Sequence, residues 1–258
     1  MTMEIDLGGR RALVTGAGQG VGRGIAHGFA AAGAEVVVND YYPERAAQVA
    51  AEIREAGGAA LECPFDVTDY AAVTSAVEGL GGVDILVNNA GNAGTGDWSG
   101  LAKFVDTEPA DWEPFLRVNL YGVLYCTRAV LPGMIDRGWG RVITIISDAG
   151  RTGEANMAAY GAAKAGAAGL TRSLAIETGR HGITVNNISL GTMRTPVSEG
   201  LWADPDNPRA RALLRRYVVR RPGLPQDVAA LAVFLASPQA SWITGQTYPL
   251  NGGISFAQ

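Results

Sequence analysis

Tyr160 and Lys164 lie four residues apart in AAYGAAKAG, a segment whose other residues are alanine and glycine. If this segment is helical, the two side chains lie on one face, about one turn apart. A free phenol has a pKa of about 10 and exchanges protons poorly at neutral pH, whereas a neighbouring ammonium group lowers that pKa. The pair therefore predicts a proton-transfer site, and its small neighbours indicate space for a ligand on the same helix face.

Two further polar residues are candidates to complete such a site. Ser147 ends the apolar run RVITIIS, where its hydroxyl can hold a substrate oxygen near Tyr160, and Asn119 is a polar residue in the mostly apolar helical segment RVNLYG. Each of the four residues also has an ordinary interpretation, because a surface tyrosine, a solvated lysine, a capping serine and a buried asparagine are all common. Their joint presence favours catalysis over four independent structural roles.

A glycine-rich stretch, TGAGQGVGRGIAHGFA, follows the first apolar run. Gly16, Gly20 and Gly22 permit a tight turn and a close approach of the backbone to a ligand. The helix that follows directs its N-terminus, with free N–H groups, at an anion such as a pyrophosphate. This arrangement predicts a dinucleotide-binding turn.

The second apolar run, EVVVND, ends at Asp40, with no arginine or lysine directly after it. A carboxylate at this distance from the glycine turn can hold the hydroxyls of a ribose and repel a ribose phosphate. The alternative is that Asp40 only ends a strand. Together with the glycine turn, Asp40 favours NAD over NADP.

Short apolar, β-branched runs alternate with alanine-rich segments of helical spacing. The runs are RALVT, EVVVND, VDILVNN, RVITIIS and ITVNNIS. This alternation predicts an α/β fold, with residues 1–258 forming a single domain of the Rossmann type: a doubly wound parallel sheet with helices on both faces. The irregular segment 192–224 is expected to form a substrate loop or lid, since ligands bind at the carboxyl ends of parallel strands.

Composition excludes several other classes of protein. Apolar residues make up 47% of the chain and charged residues 18%, which is typical of a soluble folded protein. The net charge of -4 argues against a nucleic-acid partner, and no apolar run approaches the roughly 20 residues of a membrane-spanning helix. Two cysteines and two histidines give neither a disulfide framework nor a metal-ligand cluster. We expect a cytoplasmic protein without a metal.

The motifs TGAGQGVG, NNAG (residues 88–91), YGAAK (residues 160–164) and WITGQTYPLNGG, with Asn119 and Ser147, resemble the short-chain dehydrogenase/reductase family over essentially the whole chain. The resemblance implies an NAD-dependent oxidoreductase that acts on CH-OH groups, and a homotetramer. It implies Tyr160 as general acid/base and Ser147 as the group that orients the substrate oxygen. Lys164 would hold the nicotinamide ribose and lower the pKa of the tyrosine, and Asn119 would hold a water in a proton relay.

The resemblance also implies a set of cofactor contacts. These are Gly16, Gln19, Gly20, Val21, Gly22, Asp40, Asp66, Val67, Asn89, Ala90, Gly91, Tyr160, Lys164, Met193 and Thr195. Asp66 would contact the adenine, and Asn89 would support both the cofactor and the central sheet. Met193 and Thr195 would hold the nicotinamide carboxamide.

Three positions depart from the pattern of the family. Leu190 replaces a usual proline, Asn251 replaces a common aspartate, and Asp148 occupies a position where a small or apolar residue is frequent. Asp148 is expected to point into solvent or to cap a turn. If it instead faced the pocket, it would bind a polar group of the substrate.

Two segments bear on the substrate. The glycine-rich loop 91–104 carries Trp98, which could line an apolar pocket or be a partly exposed loop residue. The segment RARALLRRYVVRR is expected to place Arg216 and Arg220 on one helix face, and Arg211 and Arg215 likewise. Its arginines are Arg209, Arg211, Arg215, Arg216, Arg220 and Arg221. They could dock the phosphates of an acyl-CoA, or form a solvated face or a subunit contact.

The segments ISDAG and EPADWEPFLRVNL are similar to those of cyclic 2-hydroxyacyl-CoA dehydrogenases, and 3-oxoacyl thioester reductases are also close. These similarities imply a hydroxyacyl thioester or an alicyclic alcohol as the small-molecule substrate. The alternatives are an NADP-preferring reductase of sugar, steroid or other small ketones, and a dinucleotide-binding sensor without catalysis.

Overall fold

The structure is a computed structural model and describes residues 5–91 and 102–256. Its strands are β1 (Arg11–Val14), β2 (Glu35–Val38), β3 (Ala59–Glu62), β4 (Ile85–Asn88), β5 (Gly140–Ser147), β6 (Ile183–Leu190) and β7 (Thr247–Leu250). Its helices are α1 (Gly20–Ala31), α2 (Pro43–Glu55), α3 (Tyr70–Gly79), α4 (Pro109–Leu116), α5 (Gly122–Arg137), α6 (Ala158–Thr178), α7 (Glu199–Trp202), α8 (Pro208–Leu214) and α9 (Pro225–Ala236).

These strands form one parallel sheet in the order β3-β2-β1-β4-β5-β6-β7. The chain builds the sheet outward from β1 to β3, then returns to the other side of β1 with β4. Such a reversal opens a crevice at the carboxyl ends of the two central strands, where ligands bind in doubly wound folds. The predicted fold class is confirmed.

Residues of each central strand alternate between two apolar layers. Val36 and Val38 belong to the core that packs under α1, α2 and α9, whereas Val37 belongs to the core under α3 and α5. Side chains of consecutive strand residues point to opposite faces, so a strand covered on both sides must be apolar throughout. This explains the continuous β-branched runs of the sequence.

The two edge strands are absent from the five runs identified in the sequence. β3 buries only Ala60 of its four residues, and β7 contains Pro249 in a half-buried strand. An edge strand has one solvated side and tolerates proline, so it does not need a continuous apolar run. Edge strands of this kind carry little sequence signal.

Three elements carry the predicted catalytic residues to the carboxyl edge of the sheet. Ser147 is the last residue of β5, and α6 carries both Tyr160 and Lys164. Asn119 lies in a π-helical turn, Arg117–Tyr121, that joins α4 to α5. Among the described helices, none is both long and apolar enough to cross a membrane.

Candidate active site

The turn after β5 lies directly against α6. A Cβ atom added to Gly150 would be 2.9 Å from the Cβ of Lys164, and one added to Gly161 would be 2.9 Å from the carbonyl oxygen of Ala149. Side chains at these two positions would therefore separate the turn from the helix. The close contact brings Ser147 to Tyr160, and the two hydroxyls form a hydrogen bond.

The ring of Tyr160 packs against an aromatic neighbour. The ring of Phe115 meets the ring of Tyr160 edge-on, with a centroid separation of 6.4 Å. Burial raises the pKa of Tyr160 above its ordinary value of 10.0, and the hydrogen bond with Ser147 lowers it by less. The expectation that the pKa of this phenol is lowered is therefore wrong for this structure, because the loss of solvation outweighs the favourable contacts.

Lys164 is almost completely buried, with 4% of its surface exposed. Its Nζ donates a hydrogen bond to the carbonyl oxygen of Ile145 at 2.9 Å and lies 5.8 Å from the centroid of the Tyr160 ring. Burial lowers the pKa of Lys164 to about 8. The ammonium form still predominates at neutral pH, so the site contains a buried cation beside the phenol.

Asn119 lies close to Lys164. Its side chain is fully buried, and its Nδ2 donates to the carbonyl oxygen of Phe115 at 3.0 Å. A Cβ added to Gly91 would be 3.2 Å from Oδ1 of Asn119 and 3.5 Å from Nζ of Lys164. The end of β4, the π-helical turn and α6 thus converge at one point.

The small residues of α6 serve packing as well as access. Besides Gly161, Gly166 contacts the protein itself, since an added Cβ would be 3.2 Å from Cδ1 of Leu120. Ala163 and Ala167 are fully buried. The sequence-based interpretation of these residues as ligand space is therefore too broad, because much of this face is filled by the chain.

The predicted dinucleotide turn has the geometry of a close-packed strand–turn–helix unit. Gly16 has φ 61°, a left-handed conformation that favours glycine, and a Cβ added to Gly22 would be 2.1 Å from the carbonyl oxygen of Gly16. Asn89 supports the turn, because its Nδ2 donates to the carbonyl oxygens of Thr15 at 2.9 Å and of Gly16 at 3.0 Å. The backbone N–H of Ala90 donates to Oγ1 of Thr15 at 3.0 Å. The sequence-based reasoning did not identify Thr15.

The N-terminus of α1 is placed to receive an anion. Gln19 is the N-cap residue, but its side chain makes no capping hydrogen bond, while Val21 packs its side chain against the core. A Cβ added to Gly20 would be 3.4 Å from Thr195, so the loop after β6 lies across this helix end. The N–H groups of the first helical turn and their partial positive charge suit a pyrophosphate.

Asp40 is buried beside the glycine turn, with 5% of its surface exposed. Its Oδ2 accepts from the N–H of Gly18 at 3.0 Å, and its Oδ1 accepts from the N–H of Tyr42 at 3.1 Å. The structure adds one cation that the sequence reasoning did not consider. Arg45 approaches Gly18, and its guanidinium lies 4.3 Å from the centroid of the Tyr42 ring.

The remaining predicted cofactor contacts flank this turn. Oδ1 of Asp66 accepts from the N–H of Thr68 at 2.8 Å, and Val67 is buried against Gly122. Met193 pairs with Gly223, and its carbonyl oxygen accepts from Oγ of Ser198 at 2.7 Å. The same Ser198 hydroxyl accepts from the N–H of Thr195 at 2.9 Å. Ser198, which the sequence analysis missed, therefore fixes the loop 192–195.

Two expectations about the substrate side need correction. Asp148 neither points into solvent nor faces the pocket, because its carboxylate is buried in a hydrogen-bond network of the protein. Helix α8 ends at Leu214, so Arg216 and Arg220 lie outside it and share no helix face. Trp98 lies outside the described residues.

Within the part of the chain that the structure describes, ion pairs use two of the six arginines of segment 209–221. Arg211 pairs with Asp206, and Arg221 forms a two-pronged pair with Asp227 at 2.6 and 2.9 Å. The other four are exposed. Arg209, Arg215, Arg216 and Arg220 are the arginines left to meet a ligand or another subunit.

The contacts form a continuous line along the carboxyl edge of the sheet. It runs from Asp40 over the glycine turn and the N-terminus of α1 to Gly91, and ends at Lys164 and Tyr160. This order suits the parts of a nicotinamide dinucleotide. The carboxylate suits a ribose, the helix end suits the pyrophosphate, and the buried cation beside the phenol suits the nicotinamide end. At its end, the paired hydroxyls of Tyr160 and Ser147 can exchange a proton with an oxygen of a substrate.

Comparisons with known proteins point to the same class. A sequence model of the family described as Enoyl-(Acyl carrier protein) reductase matches residues 16–255. The chain is 37% identical over 254 residues to a 7alpha-hydroxysteroid dehydrogenase of Escherichia coli (strain K12), covering 97% of this chain and 96% of that protein. It is 38% identical over 250 residues to (2S)-[(R)-hydroxy(phenyl)methyl]succinyl-CoA dehydrogenase subunit BbsD of Thauera aromatica, covering 95% and 96%.

A solved structure extends the similarity to three dimensions. The crystal structure of a gluconate 5-dehydrogenase from Burkholderia cenocepacia J2315, in complex with NADP and tartrate, matches with a TM-score of 0.89. The two sequences are 36% identical, and the match covers 97% of each chain.

Proposed function

Because the chain belongs to the short-chain dehydrogenase/reductase family, whose members oxidise alcohols and reduce ketones, we propose that it uses NAD(H) to interconvert a secondary alcohol and a ketone. One observation carries the proposal. The hydrogen-bonded pair of Ser147 and Tyr160, with Lys164 buried beside it, lies at the end of a cradle that fits a dinucleotide.

When bound, a nicotinamide dinucleotide supplies or accepts the hydride at the carbon of the substrate. In ketone reduction, the phenol of Tyr160 gives its proton to the carbonyl oxygen as that oxygen gains negative charge. Ser147 donates a hydrogen bond to the same oxygen and thereby orients and polarises it. In alcohol oxidation, the phenolate of Tyr160 takes the hydroxyl proton.

The protonation state of Tyr160 favours the reductive direction at neutral pH. Since burial raises the pKa of this phenol, the free protein holds Tyr160 as the proton donor that reduction requires. Lys164, whose pKa burial lowers to about 8, remains cationic at neutral pH and stabilises the phenolate left after the proton has moved. Asn119, in the π-helical turn, lies near Lys164 and holds a water that passes the proton onward.

Asp40 supports NAD as the preferred cofactor. Its buried carboxylate beside the glycine turn can accept hydrogen bonds from ribose hydroxyls and repels a phosphate at the same place. Two observations favour NADP instead: Arg45 is a cation against the same turn, and the similar gluconate 5-dehydrogenase was solved with NADP. We propose NAD because the carboxylate, unlike the arginine, is fixed by two backbone N–H groups.

We propose an alicyclic secondary alcohol or a hydroxyacyl thioester as substrate. The name of the Escherichia coli relative is that of an enzyme of a steroid alcohol, and the Thauera aromatica relative is named for a hydroxyacyl-CoA. The four exposed arginines of segment 209–221 provide positive charge that suits the phosphates of a thioester carrier. A homotetramer, as the family resemblance implies, completes the proposal.

A substrate panel tests the function directly. We would offer alicyclic alcohols, hydroxyacyl-CoA thioesters, sugars and the matching ketones with NAD(H) and with NADP(H), and follow the absorbance of the reduced nicotinamide. The proposal predicts turnover of at least one alcohol–ketone pair, with NAD preferred. Tight NADH binding without turnover of any pair would instead support a sensor, and equal use of both cofactors would contradict the NAD assignment.

A further inference from the structure

A buried polar cluster lies directly behind Ser147. We call it the Asp148 cluster and define it as Asp148, Arg151, Ser189, Asn251 and Ser255. Oδ1 of Asp148 accepts from Nη1 of Arg151 at 2.8 Å and from Oγ of Ser189 at 2.7 Å. Oδ2 accepts from Nδ2 of Asn251 at 2.6 Å and from Oγ of Ser255 at 2.9 Å. Four donors therefore saturate one carboxylate.

Three of the five members are buried, while Arg151 and Ser255 are partly exposed. Asp148 and Asn251 expose 8% and 7% of their surfaces, and Ser189 exposes none. A buried carboxylate that loses its donors is costly, and two facing carboxylates repel each other strongly in such surroundings. The identity of the residue opposite Asp148 is therefore tightly constrained.

The amide of Asn251 has one orientation that satisfies its neighbours. Its Nδ2 donates to Asp148 and also to the carbonyl oxygen of Ser255 at 3.1 Å, while its Oδ1 accepts from the N–H of Gly253 at 3.0 Å. An aspartate at this position could still accept from Gly253, but it could not donate to Asp148 or to Ser255. Asn251 is thus matched to Asp148 by its donor, which an aspartate would lack.

From Asn251 the contacts continue to the loop after β6. A Cβ added to Gly191 would be 3.1 Å from Cα of Asn251 and 3.1 Å from Oη of Tyr217. Tyr217 is buried, and its Oη accepts from the N–H of Thr192 at 2.7 Å. The Asp148 cluster therefore links the turn that carries Ser147 to the start of the loop 192–195.

We propose that Asp148 and Asn251 are a matched pair of positioning residues that hold the Ser147 turn and the loop 192–195 in register. The inference rests on the proposed function, in which Ser147 holds the substrate oxygen and the loop holds the nicotinamide. A shift between the two would misalign the hydride and the accepting carbon. The pair acts through Ser147 and Thr192 and does not touch the substrate.

Exchange of the two side chains tests the pairing. Asn251→Asp places two carboxylates against each other, and Asp148→Asn places two amides there and leaves Arg151 without its carboxylate. We expect each single variant to lower kcat at least tenfold, with the Kd of NADH within about threefold of the wild type. The double variant Asp148→Asn/Asn251→Asp restores one carboxylate and one amide, and we expect its kcat to exceed that of either single variant at least threefold. Recovery is incomplete, because Arg151 still lacks the carboxylate of Asp148 and the donor to the carbonyl oxygen of Ser255 is lost.

Two further measurements separate positioning from general stability. The melting temperature of each variant is measured first, so that all assays are run well below unfolding. The fluorescence of bound NADH then reports the surroundings of the nicotinamide without turnover. We expect a changed emission in both single variants and an emission closer to that of the wild type in the double variant. The matched control is Asp136→Asn, which removes an exposed carboxylate of α5 and should leave kcat and emission unchanged.

The outcomes distinguish this inference from the proposed function. Wild-type kcat and emission in Asn251→Asp, or losses in the double variant as large as those of the single variants combined, would overturn the pairing. Lower melting temperatures with unchanged kcat and emission would show a purely structural role and would also overturn it. If Asn251→Asp does not fold, recovery of a folded and active double variant remains the decisive result. An inactive wild type would count against the proposed function. The fluorescence of NADH bound to the wild type and to the variants would still test the pairing of Asp148 with Asn251.

Discussion

Lys164→Met removes the buried cation and replaces it with an apolar side chain of similar length. In the folded protein, burial lowers the pKa of Lys164 to about 8 from an ordinary value of 10.5. Each unit of difference corresponds to about 1.4 kcal/mol, so the buried charge costs the fold about 3 kcal/mol at neutral pH. We expect the variant to have lost its turnover. Because the buried charge is gone, we expect its free energy of unfolding at neutral pH to equal or exceed that of the wild type.

The sign of the pH dependence follows from the two protonation states. Between pH 8 and 10.5, Lys164 is neutral in the folded protein and still protonated in the unfolded chain. The unfolded state then binds more protons, so the free energy of unfolding of the wild type rises with pH through this window. Lys164→Met has no such group. The free energy of unfolding of the variant minus that of the wild type should therefore fall by about 3 kcal/mol between these limits.

Urea unfolding of both proteins, followed by circular dichroism from pH 7 to pH 10.5, measures this change. The hydrogen bond from Nζ to Ile145 is lost at every pH, so it adds a nearly constant offset and does not affect the slope. Lys103→Met is the matched control, because it removes an exposed lysine whose ammonium group water already solvates. A difference between Lys164→Met and the wild type that stays constant with pH would refute the argument that burial destabilises the cation.

Two further predictions concern the reaction. Because burial raises the pKa of Tyr160, we expect the rate of ketone reduction to be nearly constant from pH 6 to pH 7, where Lys164 is still cationic, and the rate of alcohol oxidation to increase with pH over the same range. Initial rates of the best substrate pair check this, and an oxidation rate that falls with pH would contradict it. Asp40→Ala removes the charge that repels a ribose phosphate, so we expect the ratio of kcat/KM for NAD to that for NADP to fall about tenfold. Arg45→Ala is the control, and should leave that ratio unchanged or raise it.

Local patterns in the sequence are sufficient to predict the central sheet and the glycine turn. A strand that is buried on both faces must be apolar throughout, so runs such as EVVVND indicate parallel strands. The contact of Gly22 with the carbonyl oxygen of Gly16 follows from the spacing of the glycines within one turn. The spacing of Tyr160 and Lys164 likewise places both side chains in one site, because a single helix carries them.

The features that the sequence did not predict depend on distant segments. The pKa of Tyr160 is set by burial, to which Phe115 of another helix contributes. The partners of Asp148 include Ser189 and Asn251, which lie 41 and 103 residues further along the chain. The helical spacing of the arginines does not continue past Leu214, because tertiary contacts of the buried Tyr217 determine the path of the chain there.

Tyr160→Phe tests the central claim most directly, because it removes the proton-carrying hydroxyl and leaves the ring that packs against Phe115. We predict that the Kd of NADH changes by less than about twofold, while turnover falls by about 10² to 10⁴-fold. Tyr70→Phe, which removes an exposed phenol hydroxyl on α3, should retain wild-type turnover. Near-normal turnover in Tyr160→Phe would contradict the proposal that this phenol moves the proton.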